Sequence, residues 1–375
     1  MHATQKRKIK RYLGILDENR YYNTRTVTGI EYCHTDYKSG NTPPKDECFT
    51  PYVSGTVWGT GNDSHAWFRA KISVPEEMKN APLELAISSD NEGTWDACNP
   101  QYIVYVDGKM RQGADINHTF VTLEGKDEYE VYLYGYTGPK IPSTKLYLSL
   151  RNRNELLDGL YYDIAVPFET IDFLDEYSRE YAVTLALLDE AVSILDLYSV
   201  GDEEFFKSAA RAREFMKEKF YTEWCKDSRE AAACIGHTHI DCAWKWTFRQ
   251  TREKVQRSFA TVLELMKRYP EYKFMSSQPL LYKYLKEEAP ELYEEVKRRV
   301  KEGRWEPEGA MWVEADCNLT SGESLVRQVA HGKRFSRTSL GLRAAFCGCP
   351  TFSATLPLCR RYLRRAALIG SLPQR

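Results

Sequence analysis

Between about Thr50 and Val166, apolar and polar residues alternate in short runs separated by turn-forming residues. The runs include Ala66–Ile72, Leu83–Ile87, Tyr102–Val106, Tyr129–Tyr134 and Lys145–Leu150. A period of two at this spacing predicts an antiparallel β-sandwich, and Asp107-Gly108 predicts a hairpin turn after the third run. The period then lengthens. Leu174, Tyr177, Tyr181, Leu185, Leu188, Val192 and Leu195 recur every three or four residues, which predicts helix within a stretch from Asp172 to about Trp224. Gly201-Asp202 closes that helix and Glu203 to Phe220 forms another. From Ala231 onward, short apolar runs alternate with amphipathic stretches. A buried strand is predicted at Ala231–Ile235, a helix at Thr251–Tyr269 and a strand at Tyr272–Ser276, followed by a helix at Pro279–Lys301 and a strand within Arg304–Val313. That order predicts the opening of a parallel α/β layer or barrel. The first 30 residues are polar and predict a solvated helix.

The chain of 375 residues is long enough for two or three domains. It reads as a multidomain α+β protein. An N-terminal antiparallel β-sandwich spans residues 1–168, a helical connector 169–230, and the first part of a parallel (β/α)-type domain 231–336, with a tail of different character at 337–375. An apolar content of 42% and a charged content of 28% are those of a soluble globular protein. No run of about 18 apolar residues is present, so a membrane span is not expected. Met1 to Lys10 is basic without an apolar stretch behind it, which argues against a secretory signal. Ten scattered cysteines suit reduced thiols in a cytoplasm, so the Asn-x-Ser/Thr sites at Asn62, Asn117 and Asn318 carry little weight. The net charge of −1 and the lack of a basic aromatic face argue against a nucleic-acid partner. A homo-oligomer is compatible with all of this.

Candidate chemistry gathers in two stretches. Gly236-His237-Thr238-His239-Ile240-Asp241-Cys242-Ala243-Trp244-Lys245-Trp246 leaves the carboxyl end of a predicted strand, where open α/β sheets and barrels place their sites. Alternation along an extended chain puts His237, His239 and Asp241 on one side. An imidazole nitrogen and a carboxylate presented together supply two of the ligands a hydrolytic zinc uses; the alternative is a hydrogen-bonded core cluster. Gly309 to Asn318 again runs from an apolar strand into carboxylates, and Ser321 to Gln328 follows. Taken alone, Asp316 could cap a helix. Glu306 and Glu308 read as solvated or structural, and the spacing of Cys234 and Cys242 is not that of a zinc pair.

Together the two stretches resemble the α-mannosidases of glycoside hydrolase family 38, in particular the branch with an extra N-terminal domain that is usually cytoplasmic or bacterial. The resemblance implies a family 38 catalytic domain with a (β/α)-type fold starting at 231, with the sandwich packed against it. It implies a retaining hydrolysis of terminal α-mannosyl residues with one divalent cation, Zn2+, as cofactor. His239 and Asp241 match the first two zinc ligands, and Asp316 matches the carboxylate that is both nucleophile and further ligand. Trp244 matches the aromatic residue beside the sugar, and His237 a motif histidine that supports the ligands without being one. Glu314 is not expected to be the partner acid, because adjacency at a strand end gives no separation of about 5 Å. The implied partner is an α-mannoside or a mannose-containing oligosaccharide. Two other readings stay open: a metal-dependent deacetylase or amidohydrolase, and a non-enzymatic carbohydrate-binding remnant that uses the aromatic strands of the sandwich.

The charge distribution then changes the picture. The first 323 residues carry 42 basic and 53 acidic residues, a balance of −11, whereas the last 52 carry ten basic and no acidic ones. By its motifs the resemblance ends at about Phe335. The codons of Cys347-Gly348-Cys349-Pro350 and of the residues around them, read one base out of phase, permit a family-like string. A frameshift near Ser336 is therefore expected. In the family the acid/base carboxylate and the last zinc-ligating histidine follow this point, so no residue here is nominated for either role and this chain is expected to be inactive.

Overall fold

The computed structural model describes residues 2–36, 42–61, 63–89, 100–138, 141–227, 233–316 and 319–341. Strands β1 (Tyr21–Thr26), β2 (Glu31–Thr35), β3 (Thr50–Pro51), β4 (Val57–Gly61), β5 (His65–Ser73) and β6 (Leu83–Ser88) are followed by β7 (Gln101–Val106) and β8 (Lys109–Ala114). Then come β9 (Phe120–Leu123), β10 (Glu128–Tyr136), β11 (Ile141–Lys145) and β12 (Tyr147–Arg153). They form antiparallel sheets in the orders β1-β12-β6-β9 and β3-β2-β5-β10-β7-β8, with β11 paired to β4. Alternation decides which side chains go where. Phe68, Ala70 and Ile72 of β5, Val104 and Val106 of β7, and Val131 and Leu133 of β10 meet Leu83, Leu85, Ile87, Leu148 and Leu150 of the smaller sheet in one core. The turn at Asp107-Gly108 has positive φ at both residues (51° and 73°), as a tight hairpin requires.

Helix α1 (His2–Asn19) packs on α2 (Glu155–Thr170) and α3 (Arg179–Ser193), and α2 on α4 (Glu203–Phe215), which continues in wider turns to Trp224. The prediction of a solvated first helix is corrected here. Ile9, Leu13 and Leu16, spaced by four and three, are buried in the bundle core with Leu157, Leu160, Leu185 and Leu188. Each buried aliphatic side chain contributes roughly 1.5–3 kcal/mol, enough to dock a helix that is otherwise polar. The basic residues at its start are held locally: Lys6 pairs with Asp172, and Lys8 with Asp189 at 2.9 Å. Leu174 and Tyr177 are exposed, because α3 begins only at Arg179, where the Ser178 hydroxyl accepts from the Tyr181 N–H (3.1 Å). Helix α2, capped by Asn154, was not predicted.

The remaining strands, β13 (Gly236–His237), β14 (Phe274–Ser276) and β15 (Trp305–Pro307), pair in parallel in that order. Between them lie α5 (Phe248–Arg268), α6 (Pro279–Glu288) and α7 (Pro290–Lys301), and α8 (Gly322–Phe335) follows β15. The single helix predicted at Pro279–Lys301 is two, because Pro290 cannot continue α6. The strand predicted at Ala231–Ile235 is also corrected. Ala231 and Ala232 lie outside the described residues, and Ala233 to Ile235 are exposed and unpaired. Ladder bonding starts one residue later, where the Gly236 N–H donates to Lys273 O (2.9 Å), so the apolar run gains no burial. Among the described residues no helix is long and apolar enough to cross a membrane.

Helix α5 joins the parallel sheet to the sandwich. One side packs Val255, Phe259, Leu263 and Met266 against Phe274, Tyr282 and Trp305. The opposite side, Gln250, Glu253, Lys254, Arg257, Thr261 and Glu264, recurs every three or four residues and lies on the six-stranded sheet. Tyr134 Oη donates to Glu253 Oε1 (2.6 Å), Lys254 Nζ to Gln101 Oε1 (2.9 Å) and Gly113 N to Thr261 Oγ1 (3.0 Å). Arg257 pairs with Asp115, and Gln250 Nε2 donates to Asp63 Oδ1 (2.9 Å). Trp67, Tyr105, Tyr134 and Tyr136 are at most 5% exposed, so these aromatic side chains of the sandwich are buried rather than offered to a sugar.

Candidate active site

The carboxyl ends of the three parallel strands converge on one cluster. After His237 the chain leaves the ladder; Ile240 turns into the core and His239 and Asp241 remain partly exposed. The segment is folded back by Trp246, whose indole N–H is shared between Asp241 O and Thr251 Oγ1 (both 3.2 Å). Thr247 then starts α5 with a capping box to Gln250. From β15, the chain through Gly309 to Asp316 is fastened to α8. Trp312 N donates to Gln328 O (3.0 Å) and Val313 N to Gln328 Oε1 (2.9 Å). A Cβ on Gly332 would stand 1.9 Å from Ala310 O, so only glycine lets α8 approach this backbone.

Within the cluster, His239 Nε2 and Asp241 Oδ1 are 3.0 Å apart, and His239 Nδ1 is 3.3 Å from Glu314 Oε2. Ser277 Oγ donates to Glu314 Oε1. Gln278, buried and at φ 65°, donates from Nε2 to Ile240 O (2.9 Å), and its Oε1 accepts from Glu314 N (3.4 Å). His237 also feels Glu314 and His239, and partial burial, the largest influence, holds its pKa below the usual imidazole range. Burial, then the charges of Asp241 and Glu314, pushes the Cys242 thiol up to about 12, which leaves it protonated and unreactive. Trp244 is 58% exposed, edge-on to Trp246 at 5.7 Å with Lys245 Nζ 4.6 Å above its ring.

Asp316 is exposed two residues beyond Glu314, and its Oδ1 accepts from Leu319 N (3.3 Å). The cap of α8 is Ser321, whose hydroxyl accepts from Ser324 N (3.2 Å), so the helix-cap reading of Asp316 does not apply. Cys317 and Asn318 lie outside the described residues. Among the described residues no group of three His, Cys, Asp or Glu side chains is arranged to hold a metal ion. The His239–Asp241 pair nevertheless fits two ligands of one ion: zinc bonds of about 2.0–2.2 Å at tetrahedral angles separate neighbouring donors by roughly 3.4 Å. Glu314 is the residue that sequence reasoning underrated. Its only signal was a carboxylate in the second motif.

Comparison with known proteins defines the class first. Residues 230–350 match the family model described as glycosyl hydrolases family 38 N-terminal domain. The match runs past Phe335, where the motif reading placed its end, and its last part, 342–350, lies outside the described residues. By this match and those that follow, the chain resembles glycoside hydrolase family 38. Its relatives are α-mannosidases. It is 29% identical to α-mannosidase G of Dictyostelium discoideum over 79% of this chain and 28% of that protein. It is 28% identical to human α-mannosidase 2C1 over 81% of this chain and 30% of that protein. The α-mannosidase of Saccharomyces cerevisiae is 28% identical over 82% of this chain and 30% of its own length. The chain thus spans less than a third of the length of these relatives.

Proposed function

We propose that the chain is a portion of a retaining, metal-dependent α-mannosidase that releases terminal α-mannosyl residues from α-mannosides and mannose-containing oligosaccharides in the cytoplasm. The observation that carries this reading is the His239–Asp241 pair at a parallel strand end, 3.0 Å apart, inside the segment matched to family 38. In this reading 231–336 is the start of a (β/α)-type catalytic domain; His239 and Asp241 would supply two ligands of one divalent cation, zinc by the chemistry of their donor atoms, and Asp316, which the structure does not group with them, would have to move in to be a third. A cation held there would supply Lewis-acid binding of sugar hydroxyls and would offset developing charge.

The residues of the chain do the rest. The Asp316 carboxylate attacks the anomeric carbon as the glycosidic C–O bond breaks, and the leaving oxygen takes a proton from an acid not assigned to any residue here. Water then cleaves the mannosyl ester on Asp316. The exposed ring of Trp244 supplies an apolar face for the sugar. Glu314 does not serve as the acid, because its carboxylate is engaged by Ser277 and faces His239.

The experiment is hydrolysis of 4-nitrophenyl α-mannoside, against an aryl acetamide, by this chain and by one continued from Ser336 in the family-like frame. The continued chain is expected to release nitrophenol, to lose that activity with a chelator and to regain it with zinc. The Asp316→Asn variant is expected to lose at least about 10³-fold, as removal of a covalent nucleophile does. Cleavage of the acetamide without cleavage of the mannoside would sink the reading.

A further inference from the structure

Glu314 has a place in the site that nothing above assigns. Its carboxylate side chain is only 5% exposed, against 30% for His239 and 41% for Asp241. A buried carboxylate is costly unless its oxygens are met, and here both are engaged. Oε1 takes the Ser277 hydroxyl and Oε2 faces His239 Nδ1 at 3.3 Å. Its backbone is held as well, by Gln278, which also holds Ile240 O in the middle of the first motif. Gln278 does so from a left-handed backbone conformation that non-glycine residues seldom adopt. One buried bridge therefore ties together the chain ends leaving β13, β14 and β15.

The two nitrogens of His239 face different carboxylates: Nε2 faces the partly exposed Asp241 and Nδ1 the buried side chain of Glu314. A histidine that offers one nitrogen to a cation donates its other N–H to an oriented acceptor, and that acceptor fixes the tautomer and the ring plane. We infer that Glu314, seated by Ser277 and Gln278, is the positioning residue that turns His239 Nε2 toward a divalent cation shared with Asp241. This inference rests on the metal site of the proposed function. It adds a residue that neither binds the ion nor touches the sugar.

The test is zinc binding to the whole chain, measured with Zn2+ alone in competition with a chromophoric chelator. Unsubstituted protein is compared with Glu314→Ala, Glu314→Gln and His239→Ala, each checked by circular dichroism for an unchanged fold. Glu314→Ala is expected to weaken zinc binding 10–100-fold. Glu314→Gln, whose amide oxygen still accepts from Nδ1–H, is expected to stay within about fivefold of the unsubstituted chain, a rescue that a packing role would not single out. Should Glu314→Ala misfold, the Gln variant and Ser277→Ala, expected a few-fold weaker, carry the test. Zinc binding that is lost in His239→Ala but unchanged in Glu314→Ala overturns the positioning role alone. No zinc binding by the unsubstituted chain overturns the metal reading and the positioning role with it.

Discussion

The two ends of polar burial in this molecule lie within a few turns of one another. Along α5, Glu253, Lys254 and Arg257 are shut away against the six-stranded sheet, each with a partner from the sandwich. At the strand ends just before α5, His239 and Asp241 are polar, close together and part open to solvent. Both places hold carboxylates beside nitrogen donors. The difference is access. A charge that is paired and sealed fixes one arrangement of two layers, and removing one partner strands the other. A pair that is half exposed costs little to keep and can exchange its mutual contact for a ligand. Burial and partners separate a structural polar cluster from a chemical one, whereas residue type does not.

The largest expected effect tests the sealed side. Arg257→Ala leaves Asp115 without its main cation and is expected to cost about 3–5 kcal/mol in urea unfolding. A change below about 1 kcal/mol would erase the contrast. Trp67→Ala, which empties the packed face of the same sheet, is expected to cost a similar 3–5 kcal/mol. Gly332→Ala drives a methyl group into Ala310 O and is expected to cost about 1–3 kcal/mol, read as a lower melting temperature. On the open side, His239→Ala is expected to move stability by no more than about 0.5 kcal/mol, as at surface positions, while losing zinc.

The dependence on pH sharpens the comparison further. Burial, the largest influence, lowers the pKa of His65, which contacts Tyr134 Oη at 2.6 Å and Asp63 at 3.2 Å. The unfolded chain therefore binds the extra proton first, and stability falls as pH drops below about 6.5. For Asp115, burial acts upward, but the His118 hydrogen bond and the Arg257 charge outweigh it and hold the carboxyl well below its usual range. Its contribution is complete above about pH 4 and is lost as pH falls further. Urea midpoints from pH 3 to 8 check both; His65→Gln is expected to flatten the upper step, and an unchanged step would remove His65 as its source.

Much of this was legible along the chain. The five alternating runs became β5, β6, β7, β10 and the β11–β12 region, and the Asp107-Gly108 turn sits where its residues demand, because strand faces and tight turns are set by neighbours in sequence. The amphipathic stretch predicted at Thr251–Tyr269 became most of α5, which starts three residues earlier, at Phe248, for the same reason. The two motifs carry the resemblance to the matched family, and their strands do end at one cluster. What the sequence could not decide was which partner each polar group would meet. The polar stripe of α5 reads as a solvated face until a sheet covers it, and Ile9, Leu13 and Leu16 read as incidental until α2 and α3 complete their core. Gln278 adopts a conformation that its residue type does not announce, and Glu314 finds His239 across 75 positions of chain. Local periodicity fixes elements and faces over a few residues, but burial and pairing are made by contacts far apart in sequence, and only the folded chain brings those together.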